Sequence, residues 1–236
     1  MHRKTVLTLI LLSAAAMPAV AQPNPNTITP EEKAAGWKLL FNGTSMDGWR
    51  GYREAGIPAC WKIEDGMLKT LPKVKGNNLV TTQKYDDFEF SWEWRIPPGG
   101  NNGVKYFVTE DRPSAPGHEY QMIDDAVPEV KRLGPLHMTA AFYGVLPPSA
   151  PTPTKPAGEW NQSRVAVRGG HVEHWLNGKK VLEYELGSDS VKAGLARSKF
   201  RKYPDFGTKI RGPIMLTYHS DECWYRNIKI REIAVK

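Results

Sequence analysis

"DFEFSWEWRI", residues 87–96, places a large apolar side chain at every second position. Phe88, Phe90, Trp92, Trp94 and Ile96 share one face, and Glu89, Ser91, Glu93 and Arg95 share the other. A strict period of two describes a pleated strand with one buried side, because successive side chains point to opposite faces. Shorter runs of the same character surround it. "WKIEDGMLKT" (61–70) reads as a hairpin about Asp65-Gly66, and "WLNGKKV" (175–181) as another about Asn177-Gly178. Further strands are expected in 37–43, 79–83, 104–110, 118–125, 159–168, 171–186, 211–220 and 223–233. In the last of these, Trp224, Ile228 and Ile230 fall on one face by simple parity. The spacing predicts one short helix over 188–200, N-capped by Ser188. Residues 97–103 ("PPGGNNG") read as a tight connection, and 126–158 as a long Pro-rich loop. Loops of that length inside a compact domain usually carry function. Many short antiparallel strands, turns and one helix define an all-β protein, a jelly-roll β-sandwich.

The chain has 236 residues and begins with a leader-like segment. His2, Arg3 and Lys4 precede a short apolar run, and "AVA" fits a small-residue cleavage site after Ala21. We read 1–21 as a signal peptide, 22–35 as a flexible lead-in and 36–236 as a single jelly-roll catalytic domain. A secreted, periplasmic or extracellular location follows as an expectation, without membrane insertion, since no later stretch is long and apolar enough to cross a bilayer. Removing Arg3 and Lys4 with the leader lowers the formal charge from +7 to +5. The basic residues are scattered apart from "RSKFRKY" (197–203), so no nucleic-acid partner is expected. That cluster is either a solvated surface or a local contact for an anion or substrate. The two cysteines, Cys60 and Cys223, form no CxxC pair; they are either bridged or two separate thiols.

Eight tryptophans, nine tyrosines and seven phenylalanines serve either a sandwich core or the faces of sugar rings. Near the second hairpin, His171, Glu173 and His174 lie within four residues. On a strand, His171 and Glu173 point one way and His174 the other, so one ion cannot take both histidines. His174 is left as either a buried structural histidine or a proton carrier facing a cleft. The segment "EYQMID" (119–124) resembles the catalytic strand of laminarinase-type retaining glucanases. Gln121 stands where those enzymes carry the middle carboxylate, and Asp124 has the wrong parity unless a bulge intervenes. Retaining hydrolysis needs two carboxyl groups about 5 Å apart. No Ser-His-Asp elbow, phosphate-binding loop or dinucleotide fingerprint is present.

The blocks "GWKLLFNGTSMDGWRGY" (36–52), "LVTTQKYDDFEFSWEWRIPPGGNNGVKYFV" (79–108), "HEYQMIDD" (118–125), "GEWNQSRVAVRGGHVEHWLNGKKVLEYEL" (158–186), "SKFRKYPDFG" (198–207) and "YRNIKIREI" (225–233) resemble, in order, the 3-keto-disaccharide hydrolase domain family. The resemblance spans about residues 36–233. It implies a concanavalin- or laminin-G-like jelly roll that acts on an oligosaccharide or glycoside already oxidised at C3. A C3 ketone acidifies the C2 proton, so a base can remove it, the C1 substituent can leave, and water can add back. Such chemistry needs a base, an oxyanion stabiliser and a proton donor. On the matching blocks, Glu119, His174 and Arg95 are the catalytic candidates, with Arg95 polarising the ketone. Gln121, Asp124, Asn102, Tyr106, Tyr143, Trp160, Lys199 and His219 are the substrate-binding candidates. The resemblance leaves a divalent cation open, but no ligand-like spacing assigns one to any residue. Where the family reads something like "IxLQDHGD", this chain reads "IMLTYHSD" (214–221), and Gly144 stands where an aspartate often follows the tyrosine. A lectin-like module or an ordinary retaining glucanase of the same fold are the competing readings.

Overall fold

The computed structural model describes residues 25–112, 114 and 116–234; the leader read over 1–21 lies outside them. In chain order the strands are β1 (Lys38–Leu39), β2 (Trp49–Gly51), β3 (Trp61–Glu64), β4 (Met67–Thr70), β5 (Leu79–Thr81), β6 (Phe88–Arg95), β7 (Asn101–Tyr106), β8 (His118–Ile123), β9 (Asn161–Arg168), β10 (His171–Leu176), β11 (Lys179–Glu185), β12 (Met215–Leu216) and β13 (Cys223–Glu232). Helices α1 (Pro30–Ala34), α2 (Pro128–Leu133) and α3 (Asp189–Arg197) decorate them. No helix among the described residues is long and apolar enough to cross a membrane.

Two antiparallel sheets face each other. The larger has the order β11-β10-β9-β6-β13-β4-β3, with β1 also on β13; the smaller has the order β2-β5-β12-β7-β8. This is the expected all-β sandwich. Strand β6 lies in the middle of the larger sheet, between β9 and β13. Its even-numbered aromatic face packs into the core, and Phe88, Phe90, Trp92 and Trp94 are all buried. Trp92 meets Tyr120 of the opposite sheet edge-on, with ring centroids 5.0 Å apart. The aromatics of this strand are therefore core, not a sugar platform.

The outer face of β6 departs from simple alternation. Glu89 is fully buried there, paired with Arg164 and Arg231 at 2.9 Å each and also with Arg168. A buried carboxylate is tolerated only when partners surround it.

Both hairpin readings hold. Asp65 and Gly66, and Asn177 and Gly178, have positive φ (51°, 71°, 47° and 81°), as a type I′ turn demands. Helix α3 forms with the Ser188 side chain accepting from the Val191 amide.

Several expectations change. Strand β7 begins at Asn101, inside the stretch read as a connection. The Pro-rich segment contains α2, opened by Pro128 at its first turn, where a missing N–H costs nothing. Residues 25–35 are docked rather than loose. Asn26 exchanges backbone-to-side-chain hydrogen bonds with Asn227, and Thr29 and Glu32 close a capping box on α1. A bulge between Arg226 and Lys229, with Asn227 at φ 51°, reverses the parity of β13. Tyr225, Ile228 and Ile230 therefore enter the core, and Trp224 lies on the outer face against Arg95 and Lys69. Cys60 and Cys223 are separate buried thiols.

Between the sheets runs a polar chain. His174 Nδ1 lies 2.8 Å from the Ala140 carbonyl, which can only accept, so that nitrogen carries the proton. Its Nε2 then accepts from the Tyr106 hydroxyl at 2.7 Å. Tyr184 donates to Tyr106 at 2.7 Å, and His118 Nδ1 donates to Tyr184 at 3.1 Å. His118 Nε2 is left without a partner among the described residues, as a neutral imidazole permits. Burial pushes His118 down to about 3 and His174 down to about 4.

Two predictions follow from this core. Trp92→Ala should cost about 3–5 kcal/mol, read as a lower denaturant midpoint. The unfolded chain binds protons on both histidines below about pH 6.5, and the folded chain does not until about pH 4 and 3. Stability should therefore decline as pH falls from about 6.5 toward 4, with a slope approaching ~1.4 kcal/mol per pH unit for each histidine. His174→Gln should flatten that slope; an unchanged slope would exclude the buried histidine as its source.

Candidate active site

Strands β7 and β8 pair with Lys105 opposite Glu119 and Gly103 opposite Gln121. Tyr106, Tyr120 and Met122 point into the sandwich, so Lys105, Glu119 and Gln121 point out through the other face of the smaller sheet. The pairing register is continuous from 118 to 123, so no bulge turns Asp124 to join them.

Glu119 is only 6% exposed, yet it is ionised. Burial pushes its carboxyl up, but Lys105, with Nζ 3.1 Å from Oε2, and His219, with Nε2 3.8 Å from Oε1, outweigh it and hold it at about 2. At 3.8 Å the imidazole is a charge neighbour rather than a hydrogen-bond donor. Oε1 accepts no hydrogen bond from any described residue. It is a buried, charged acceptor facing a pocket. Gly103 makes room for it: a Cβ there would come within 2.6 Å of Oε1.

The roof comes from three separate segments. The chain from 139 to 146 runs along the free edge of β8, with the Ala140 amide on the Gln121 carbonyl at 2.9 Å and the Tyr143 amide on the Glu119 carbonyl at 3.0 Å. The turn after α3 brings Lys199 to 4.6 Å above the Tyr143 ring. The loop after β12 supplies His219 and Asp221, and Asp221 holds the Asn101 amide at 3.0 Å. A pocket of 240 Å³ opens between the β7–β8 pair and the turn after α3, with Lys105, Glu119, Lys199 and Tyr203 on its wall.

Of the residues singled out in the sequence, the structure gathers Glu119, Gln121, Tyr143, Lys199 and His219 here. The others lie elsewhere. His174 and Tyr106 are fully buried between the sheets, bonded to each other, on the opposite side of β8 from Glu119. Asn102 is buried too, its Oδ1 taking the Thr217 hydroxyl at 3.0 Å. Arg95 and Trp160 stack on one another at 5.1 Å on the outer face of the larger sheet. Asp124 caps a turn, accepting from the amides of Gly99 at 2.9 Å and Ala126 at 3.0 Å.

Lys105 is the site residue that sequence reading missed. Its only signal is its odd position between Val104 and Tyr106, and that gains meaning only once β7 is paired with β8. Two departures from the family pattern are structural. The Tyr218 hydroxyl donates to the Leu71 and Val74 carbonyls, and Thr217 serves Asn102.

A second titratable group, His171, Glu173 and Glu183, has ligand-type atoms within 4.8 Å of one another on the outer face of the larger sheet. Lys180 already supplies its positive charge, 3.3 Å from Glu173 and 2.5 Å from Glu183.

A β-sandwich whose sheet face carries a buried ionised carboxylate between a lysine and a histidine has the makings of an acid–base enzyme rather than of a flat binding strip. Residues 36–231 match the 3-keto-alpha-glucoside-1,2-lyase-like domain, and the chain belongs to that family. By that membership it is a glycoside-cleaving enzyme of the 3-keto-disaccharide hydrolase type. It is similar to a Bacteroides thetaiotaomicron protein named 3-keto-disaccharide hydrolase, 33% identical over 84% of this chain and 79% of the relative. Two Parabacteroides distasonis crystal structures, each provisionally assigned as a glycosyl hydrolase, share the fold. One has a TM-score of 0.80 at 33% identity, covering 89% of this chain and all of the other; the second has 0.67 at 28%, covering 84% and 99%.

The placements predict opposite effects on kcat. His174→Gln should lower stability by about 1–3 kcal/mol through its unpaired neighbours, with kcat nearly kept. Glu119→Gln should also lower stability near neutral pH, since Lys105 loses the carboxylate it pairs with, while kcat collapses. Thermal melts and kinetics on both variants check this, and the reverse pattern would return the chemistry to His174.

Proposed function

We propose that this protein cleaves the glycosidic bond of 3-keto-glycosides, 3-keto-disaccharides among them, by elimination across C1–C2 followed by hydration. The observation that carries this reading is the order of groups at Glu119: Lys105 on one carboxylate oxygen and His219 beside the other. A 3-keto sugar presents the same order. Its acidic C2 hydrogen lies between the C3 ketone and the C1 leaving group.

Glu119 takes the C2 proton. The electron pair moves toward C3, and the developing enolate oxygen is met by the Lys105 ammonium, the role first considered for Arg95. The C1–O bond then breaks, and the departing oxygen takes a proton from His219. Water next adds to C1 of the unsaturated ketone and gives its proton to His219, while Glu119 returns its proton to C2. One water is consumed and both side chains end as they began. Oxyanion stabilisation in a site that excludes water is usually the largest single contribution to such a step.

The lysine also sets the base. While it pairs with Glu119 the carboxylate is held near 2 and is a weak base. When the keto oxygen draws the ammonium away, burial becomes the stronger influence and basicity rises at the moment of proton transfer. Gln121 and Tyr143, adjoining Glu119, are placed to hold ring hydroxyls. Two matched carboxylates are not required, which accommodates Gln121 and the turn-capping Asp124. The leader-like residues 1–21 support placing this activity outside the cytoplasm.

The test is release of 3-ketoglucose from 3-keto-trehalose and of 3-ketogalactose from 3-keto-lactose, with no cleavage of the unoxidised parents. Glu119→Gln should lower kcat by about 10²–10⁴-fold and abolish exchange of the C2 hydrogen with deuterated water. His219→Gln should slow cleavage yet keep that exchange. Lys105→Met should lower kcat and move the acid limb of the pH profile upward, because burial of Glu119 is then opposed by His219 alone. Turnover of unoxidised glucans at a comparable rate would overturn the proposal.

A further inference from the structure

The segment that roofs the site is held at an unusual backbone. Ala140 has φ 67°, a left-handed conformation in which the Cβ of an alanine crowds its own backbone. Such a residue persists only where its surroundings hold it there. Ala140 is fully buried, and both of its backbone groups are taken. Its amide donates to the Gln121 carbonyl at 2.9 Å. Its carbonyl is turned into the sandwich, where it accepts from His174 Nδ1 at 2.8 Å. That second bond runs from β10 of the larger sheet to the segment lying along the edge of the smaller one.

The residues after Ala140 belong to the site. The Ala141 carbonyl accepts from the Gln121 amide at 3.3 Å, and the Tyr143 amide donates to the Glu119 carbonyl at 3.0 Å. Phe142 between them enters the core. Tyr143 carries Lys199, from the wall of the Glu119 pocket, 4.6 Å above its ring. Lys105 and Glu119 do not depend on this segment, because the β7–β8 ladder fixes both. Tyr143 does depend on it, since its place is set by the bonds of 140–143. Donor and acceptor of the His174 bond are both out of water, so leaving it unmade is costly.

We propose that His174 is a positioning residue: by tying the Ala140 carbonyl it holds Tyr143 in place beside Glu119, where the sugar ring binds. The inference rests on the glycoside-cleaving reading above and adds to it a residue that acts on substrate affinity without touching substrate.

Two variants of the full chain separate the two bonds of the imidazole. In His174→Asn the side-chain amide falls where Nδ1 stood and still donates to Ala140. In His174→Gln it falls where Nε2 stood and serves Tyr106 instead. H174Q should raise KM for 3-keto-trehalose roughly 2–10-fold, as the loss of one hydrogen bond implies, with kcat nearly kept. H174N should keep KM near the native value, although both variants melt lower. Exchange of the Tyr143 amide should quicken in H174Q and not in H174N. Equal KM in the two variants, or a larger rise in H174N, overturns the inference while leaving 3-keto-glycoside cleavage intact. A native chain that turns over no 3-keto sugar overturns the earlier reading and this one with it. Should neither variant fold, the native side chain is read directly in the Glu119→Gln chain saturated with 3-keto-trehalose. Coupling between the His174 bond and the sugar is reciprocal, so solvent exchange of the Nδ1 proton should slow by a larger factor than that of the Phe90 amide in the larger sheet. The same factor for both protons overturns the inference.

Discussion

The pleat of the β7–β8 pair is the constraint on which the rest of the site depends. Because neighbouring side chains leave a strand on opposite faces, Tyr106, Tyr120 and Met122 must enter the core if the sandwich is to close. Lys105, Glu119 and Gln121 are then sent to the outer face as a set. A slip of one residue would bury the ion pair and expose three large side chains. Core packing and active-site placement are thus one geometric decision, taken by the aromatic contacts between Tyr120 and Trp92 as much as by the charges.

Electrostatics then works against burial at one atom group. Glu119 lies almost out of water, a condition that favours the neutral acid, yet Lys105 and His219 keep it charged. Its Oε1 is left without a hydrogen bond among the described residues, and Gly103 keeps the space beside it free of side chain. An ionised acceptor with an open valence is unfavourable in a resting fold. It is what proton abstraction from carbon requires, since the acceptor needs no prior bond to break. The polar chain in the core shows the opposite solution. There, His174 and His118 are buried neutral, and His174 and the two tyrosines between them are hydrogen-bonded.

The difference between these two groups explains why His174 looked catalytic in the sequence and Lys105 did not. A histidine flanked by apolar residues on a strand is equally consistent with a cleft and with a core. Only the facing sheet decides, and here Tyr106 and the Ala140 carbonyl fill both ring nitrogens. Arg95 was assigned correctly to the polar face of its strand, but that face looks away from the smaller sheet toward Trp160 and Trp224. Asn102 and Tyr106 were near the right residues in sequence and on the wrong side in space. Glu119 and Gln121 were legible because they alternate with Tyr120 and Met122, and His219 because it persists in a family block.

Local periodicity alone was enough to determine most of the strands, the two tight hairpins, helix α3 and the sandwich class, since each depends on neighbours within a few residues; β2 and the start of β7 escaped it. The bulge in β13, the docking of residues 25–35, the burial of Glu89 under three arginines and the membership of the active site were decided only by tertiary structure. The physical reason is range. A side chain's face on its own strand follows from a two-residue repeat, but whether that face meets a core, a solvent-exposed sheet or a pocket depends on strands tens of residues away. The pairing of Lys105 with Glu119 is the sharpest case: fourteen residues separate them in the chain, and the register of β7 on β8 brings their charged ends to 3.1 Å.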